Sequence, residues 1–488
     1  MTIQHLKALS KSDYVIGLEC PGHLWMRYHD KENIPPHPPG LLRRFEQGNI
    51  VGQLAKNLFP EGIDIATENY NLNLQKTKEL LPKQKILFEP ALTVDNLYGR
   101  ADILVPVGKD QWDVIEVKSS TKVDKNKHYP DLAFQRYVYE KAGLKIRKCF
   151  LMHLNNKYVR NGEVDLQNLF IQEDLTEEID EIMAEVPKNI SFLWSIVQSP
   201  AFPNTAEKNH CSLPKECLIK DRCWDFLPEH HVFHLYNGRK NRTLFDEGIH
   251  ELRDVPEERL SNAQQKIQLN CAKTGKVHVD KKQIKEFLGT LGKVQCYLDF
   301  ETCSFAVPEF DGTRPYQRMP FQFSLHVIPG KHFEYLHDGK DDPRPGFLAA
   351  LKEKLPSTGS VVVYSQGFES SLLEELARDF PSHKEWVDSV LERMVDLRVP
   401  FSKFWYYNPA QHGSASIKKV LPAVVGKGYE GLNIADGDCA SIAYLDMNFG
   451  KMTVVARKKM RKDLLRYCKR DTEAMVWIVR EMGKLIKN

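Results

Sequence analysis

Nowhere in its 488 residues does the chain hold a run of about 18 apolar residues, the length a helix needs to cross a bilayer. A membrane-spanning helix is therefore not expected. The N-terminal stretch MTIQHLKALSKSDYVIGLEC also lacks an apolar signal core and a small-residue cleavage site, which argues for a cytoplasmic protein. In that compartment the ten cysteines are expected to be reduced or metal-bound rather than paired as disulfides. A strong charge bias is missing too. Against 68 Lys and Arg stand 65 Asp and Glu, a net charge of +3, so composition alone does not announce a nucleic-acid binder. There is no internal repeat and no low-complexity tract. The histidines, His230, His231 and His234 among them, show no metal-binding spacing with acidic partners.

What is present, 42% hydrophobic and 27% charged residues in an even mixture, describes a folded globular chain. Its length exceeds what one core organises, so two or three domains are expected. Residues 1–225 mix strand and helix patterns and end in a cysteine cluster. Residues 226–292 are polar and read as a connector, with room for a small fold of their own. Residues 293–488 open on the buried strand VQCYLDF, continue through QFSLHVI and SVVVYS, and finish in helical patterns. The basic run from Lys451 to Lys462 fits a nucleic-acid patch or an ordinary solvated helix face equally well.

The chemistry concentrates in acidic residues at apolar places. Asp299 and Glu301 stand two apart at the end of a strand, so both side chains leave one face of the sheet. An apolar strand has no structural use for two adjacent like charges, which repel in low dielectric unless a divalent cation lies between them. After SVVVYS comes Gly367-Phe368-Glu369, which places a third carboxylate at the start of a helix. Tyr467 and Asp471 are four apart on the last helix and share one face.

The order LDFET, YSQGFES, YCKRD resembles the DEDD exonuclease superfamily, whose motifs are Asp-x-Glu, a polar turn ending Phe-acid, and Tyr-x-x-x-Asp. The resemblance implies a ribonuclease H-like domain over 293–488, a mixed sheet flanked by helices. It further implies magnesium or manganese ions held by Asp299, Glu301, Glu369 and Asp471, with Tyr467 orienting the attacking water. The third acid is Glu369, where most such enzymes have Asp. The segment Arg314, Tyr316, Arg318 and the pair Lys418, Lys419 are secondary candidates for substrate contact, with incidental loop and helix-surface roles as the alternative.

Around residue 100, YGRADILVPVGKDQWDVIEVKSST reads as a hairpin that brings Asp102 and Glu116 together, with Lys118 two residues on. Two carboxylates suit one cation, and an ammonium beside them suits a scissile phosphate. This is similar to the PD-(D/E)XK restriction-endonuclease-like fold. Downstream, Gln135 and Tyr139 resemble the Gln-x-x-x-Tyr motif of its RecB-type branch. The early metal-binding His of that branch is missing, and Gly48, Gly52 and Gln53 occupy the stretch. Cys211, Cys217 and Cys223, with Cys20 near the N-terminus, resemble the iron-sulfur staple of RecB-type and CRISPR-associated nucleases. That implies a 4Fe-4S cluster, with zinc as the alternative for four thiolates. Cys149, Cys271, Cys296, Cys303, Cys439 and Cys468 read as scattered core or surface residues.

Together these features make an α/β protein that resembles an uncharacterised bacterial family of fused nucleases. The resemblance implies phosphodiester hydrolysis at nucleic-acid ends, single-stranded DNA or DNA ends first, in DNA repair or defence. The alternatives are a DNA-end clamp built on two inactive nuclease folds, and an RNA-processing exonuclease.

Overall fold

The computed structural model describes residues 8–203, 217–238 and 241–487. They form two compact units, Met1–Trp224 with Phe305–Gln317, and Asp225–Ser304 with Arg318–Asn488. Residues 226–292, expected as a connector, thus belong to the second unit. Ile284 and Phe287 bury themselves there against Tyr297, Val362 and Phe401. The excursion 305–317 belongs to the first unit, where Ala306 is fully buried beside Val51, Ala55 and Ile115. Among the described residues no helix is long and apolar enough to cross a membrane.

Both units are mixed α/β. The first is built on a six-stranded sheet ordered β1 (Ile63–Asp64), β2 (Leu87–Phe88), β3 (Ile103–Val107), β4 (Gln111–Lys118), β5 (Lys145–Leu154), β6 (Phe170–Asp174). β4 lies antiparallel to β3 and parallel to β5. It is buried from Trp112 to Glu116, as expected of an inner strand covered on both faces. The covering elements include α1 (Lys11–Glu19), α2 (Pro39–Lys56) and α3 (Lys125–Lys141). A capping box of Ser10 and Asp13 starts α1. Leu9 and Ser10, just before it, pair in parallel with Leu97 and Tyr98. α3 buries Leu132, Ala133, Phe134 and Val138 in a core shared with Tyr14, Leu104, Val114 and Leu193.

The second unit has a five-stranded sheet of β7 (Gln295–Cys303), β8 (Met319–Ile328), β9 (His332–Leu336), β10 (Ser360–Val363) and β11 (Met394–Asp396), ordered β9-β8-β7-β10-β11. β7 is central, antiparallel to β8 and parallel to β10. The β7–β8 register shifts between Glu301 and Thr302. That irregularity re-aims the strand next to its acidic pair. β10 leads into α4 (Gln366–Asp379), and α5 (Ile417–Val425), α6 (Gly437–Phe449) and α7 (Val454–Leu485) follow β11.

α7 buries Leu464, Tyr467, Cys468, Asp471, Met475, Ile478 and Met482 along one stripe, the three-and-four spacing of a helix docked on a sheet. A polar network also fastens it to the sheet. The Thr472 hydroxyl lies 2.7 Å from Ser324 Oγ and 2.8 Å from His326 Nδ1, and Ser324 Oγ lies 3.0 Å from His332 Nε2. Burial pushes both imidazoles down from 6.5 to about 4, helped by the ammonium of Lys469 and, for His326, by its neighbour His332. Both are therefore neutral in the folded chain near neutrality. Their contribution to stability is whole above pH 6.5 and is lost as the pH falls toward 4. In thermal scans the parent should lose more melting temperature between about pH 7 and about pH 5 than His326→Gln. Parallel pH slopes for the two proteins would rule this contribution out.

Candidate functional sites

In the second unit, β7, α4 and α7 carry four carboxylates, and the charges of the other three all reach Asp299. Burial raises the pKa of Asp299 well above the ordinary range, and the charges of Asp471, Glu301 and Glu369 raise it further. Glu301 is raised by burial and by Asp471, and Lys418 only partly offsets this. Glu369 is pushed up to about 8 by burial and then by Asp396. Asp471 is pushed up to about 6 by burial, against the opposing influence of the Tyr429 hydrogen bond, Lys418 and Arg470. Glu301, Glu369 and Asp471 are each at most 7% exposed. Buried like charges of this kind are costly unless a cation or protons compensate them. Glu369 Oε2 is buried and meets no hydrogen-bond partner among the described residues.

The Glu369 turn is itself strained. Ser365 holds φ at 79°, a left-handed conformation unfavourable for a residue with a Cβ. Its N–H donates to Asp396 Oδ1 at 3.0 Å, and Phe368 N–H donates to Ser365 O at 3.0 Å. The turn therefore throws Glu369 inward at the first turn of α4. Beside it, a cavity of about 580 Å3 is lined by Tyr364, Ser365, Arg398, His234 and His412. His412 stacks on His230 at 5.1 Å and lies 4.6 Å from His234, so folding assembles imidazoles that are far apart in sequence.

Two neighbours of the acidic cluster, Tyr429 and Cys468, were not among the site candidates of the sequence. Tyr429, in the segment before α6, donates to Asp471 Oδ1 at 2.5 Å, and its ring centroid lies 6.4 Å from that of Tyr467. Tyr467 is buried, and its pKa is raised by burial and then by Asp471, Glu301 and Asp299. Lys418 Nζ sits 5.9 Å and 6.0 Å over the rings of Tyr429 and Tyr467 and donates to Ala435 O. Cys468, expected as a scattered core cysteine, is fully buried with Sγ 3.6 Å from Asp299 Oδ2. Ligand atoms of Asp299, Glu301 and Cys468 lie within 4.8 Å of one another. Helical spacing put Cys468 on the face of Asp471. Only the docking of α7 on β7 shows which strand that face meets.

Residues 296–416 match the domain of unknown function DUF2779. The match includes Asp299, Glu301 and Glu369 and ends before Lys418, Tyr429, Tyr467 and Asp471. An uncharacterised protein of Mycoplasma genitalium is 27% identical over 233 residues, 42% of this chain and 34% of that protein. Its homologue in Mycoplasma pneumoniae is 27% identical over 212 residues, 38% of this chain and 32% of that protein. The matched segments thus span about a third of these relatives' length.

The DUF2779 region is preceded by a second cluster of charged groups, in the first unit. Glu116 on β4 is 1% exposed, and its Oε1 accepts from Lys118 Nζ at 2.6 Å and from Lys11 Nζ at 2.7 Å. Its Oε2 accepts from Gln135 Nε2 at 2.7 Å. Asp131, one turn before Gln135 on α3, accepts from Lys118 at 2.6 Å and Gln135 at 3.1 Å, and pairs with Lys11 at 3.4 Å. Asp102 Oδ2 accepts from Val117 N–H at 2.6 Å. Burial and the Glu116 charge push Asp102 up to about 7. Burial would raise Glu116 too, but Lys11 and Lys118 outweigh it and hold the carboxyl well below its ordinary range.

Asp102, Glu116, Lys118 and Gln135 are thus brought together, and Lys11 and Asp131 join them. Asp131 was legible as the preceding turn of the Gln135–Tyr139 face. Lys11 was not, being 105 residues from its partner. Tyr139 is fully buried beside the same centre. Its hydroxyl donates to Pro90 O at 2.5 Å and accepts from Ala101 N–H at 3.1 Å, so it fixes the backbone beside Asp102. A cavity of about 160 Å3 adjoins Asp102, lined by Gly48, Gly52, Gln53, Lys56 and Glu89. A Cβ at Gly52 would meet nothing within 4 Å.

Of the four cysteines in the proposed staple, Cys211 lies outside the described residues and Cys217 is exposed. Cys20 and Cys223 share one buried cluster with Trp25, Met26 and Ile219, although 203 positions apart. Of the secondary candidates, Arg318 pairs with Glu375 and donates to Ser371 at 3.0 Å, while Tyr316 lies beside Ser119 in the first unit.

Proposed function

We propose that the chain is a metal-dependent nuclease that trims nucleic-acid ends, single-stranded DNA first, through a DEDD-type centre at Asp299, Glu301, Glu369 and Asp471. The observation that carries this reading is that Glu301, Glu369 and Asp471 are buried and their charges act on half-buried Asp299, that Lys418 and Arg470 offset only part of this, and that Glu369 Oε2 has no hydrogen-bond partner among the described residues. Such an all-oxygen set suits magnesium or manganese. Two such ions, when bound, stabilise the attacking and leaving oxygens of a phosphodiester. The sheet order, with β7 central and β10 and β11 parallel to it, supports a ribonuclease H-like assignment.

The chain's own groups then have separable tasks. Asp299 and Glu301 lie within a central strand, so their positions follow from the sheet. Tyr429 orients Asp471 by donating to it. Tyr467 stands beside them as the group that positions water, and Lys418 supplies a positive charge for the phosphate. The first unit is assigned a PD-(D/E)XK role, with Lys118 beside Glu116 and Asp102 as the groups facing the phosphate. A panel of end-labelled single- and double-stranded DNA and RNA, with magnesium and with manganese, tests the reading. Ladders from one end are expected. Intact substrates under every condition would sink the proposal.

Cys20, Cys211, Cys217 and Cys223 are assigned to a 4Fe-4S cluster, supported by the meeting of Cys20 and Cys223 in one apolar cluster. A brown protein containing iron is expected from anaerobic purification. A colourless, zinc-loaded product would turn the assignment to zinc, and a metal-free one would remove it.

A further inference from the structure

The two charged centres are compensated in opposite ways. Around Asp299 stand the carboxylates of Glu301, Glu369 and Asp471, and Lys418 acts on Glu301 and Asp471 without an ion pair among the described residues. At the first unit's centre, Asp102, Glu116 and Asp131 face two ammonium groups, Lys11 and Lys118. Both oxygens of Glu116 are already occupied, Oε1 by the two lysines and Oε2 by Gln135. A divalent ion drawing on Glu116 must therefore compete with a cation that the chain itself supplies.

Lys118 belongs to the motif that marks this centre, but Lys11 does not. It sits at the first position of α1, held by the Ser10–Asp13 capping box and by the strand pairing of Leu9 and Ser10. Asp13 is tied in turn to Arg27 at 2.7 Å. The lysine side chain is 21% exposed and points from this anchored start to Glu116 and Asp131. Such an ammonium is tethered and needs no recruitment from solvent. At a few ångströms in a partly buried site its charge repels a nearby divalent ion substantially.

We propose that Lys11 is a built-in cation of the first unit's centre, standing where a divalent ion would otherwise neutralise Glu116 and Asp131, and so weakening metal binding there. The idea rests on the nuclease reading only for the role of the centre. Its metal chemistry can be measured without nucleic acid. The full chain carrying Asp299→Asn and Glu301→Gln, which disables the other centre, is titrated with Mn2+ and followed by electron paramagnetic resonance.

Removing the charge with Lys11→Met should tighten Mn2+ binding by roughly tenfold or more. Lys11→Gln, which can still donate to Glu116 and so preserves the fold, should tighten it as well. Lys11→Arg should leave it weak. The gained binding should vanish when Asp102→Asn is added, which locates the ion. Unchanged or weaker Mn2+ binding in Lys11→Gln, with native circular dichroism, would overturn the inference. The substrate panel on the parent chain decides the nuclease reading separately.

Discussion

Asp299→Asn is expected to lower metal-dependent end trimming by on the order of 10^2–10^3-fold, and to raise the melting temperature of the metal-free protein. The two effects have one cause. Asp299 lies among Asp471, Glu301 and Glu369, and burial together with these charges makes its ionised form unfavourable. Replacing the carboxylate by an amide of the same shape removes repulsion in the metal-free chain and removes a ligand from the loaded one. Each kcal/mol of relieved repulsion raises the melting temperature by roughly 2–4 °C in a unit of this size. Saturating manganese should stabilise the parent and not the variant. If cleavage of every labelled substrate persists, this centre is not their nuclease. If the metal-free variant melts lower than the parent, the four carboxylates are not in conflict.

Lys118→Met is expected to remove whatever cleavage survives in Asp299→Asn, again by on the order of 10^2–10^3-fold. Lys118 is the lysine of the strand that also carries Glu116, and it reaches Glu116 and Asp131 at 2.6 Å each. Its loss leaves Glu116 with Lys11 and Gln135, so no buried carboxylate is orphaned and the sheet should persist. The comparison is made in the Asp299→Asn background on the same substrate panel. Residual cleavage that ignores Lys118→Met would show that the first unit binds without cutting. A partial loss with Asp299→Asn and loss of the remainder with Lys118→Met would show two working centres in one chain.

Much of both centres was legible because it lies in short stretches whose geometry is local. Asp299 and Glu301 share a strand face by the two-residue period, and Gln135 and Tyr139 share a helix face by the four-residue period. The motif gave proximity; the hydrogen bonds of Tyr139 to Pro90 O and Ala101 N–H come only from the tertiary structure. The boundaries were harder to read. Residues 226–292 looked like a connector because they are polar on average, yet Ile284 and Phe287 bury in the second unit's core. Residues 305–317 lie inside the span read as the second domain, yet Ala306 completes a core formed by α2, β2 and β4 in the first unit.

The chemistry on offer is written in short stretches: carboxylates two apart on an apolar strand, an acid at a helix start, an acid one turn after a tyrosine, and a lysine two residues after a glutamate. Those are local facts, set by strand and helix periods of a few residues. How each charge is answered follows from the packing of distant segments. Whether a buried carboxylate meets another acid or a lysine depends on groups 105 positions away for Glu116 and Lys11. It depends on groups 42 positions away for Tyr429 and Asp471. Electrostatic energy depends on distance in space and on the loss of water, and neither is written in the spacing of residues along the chain.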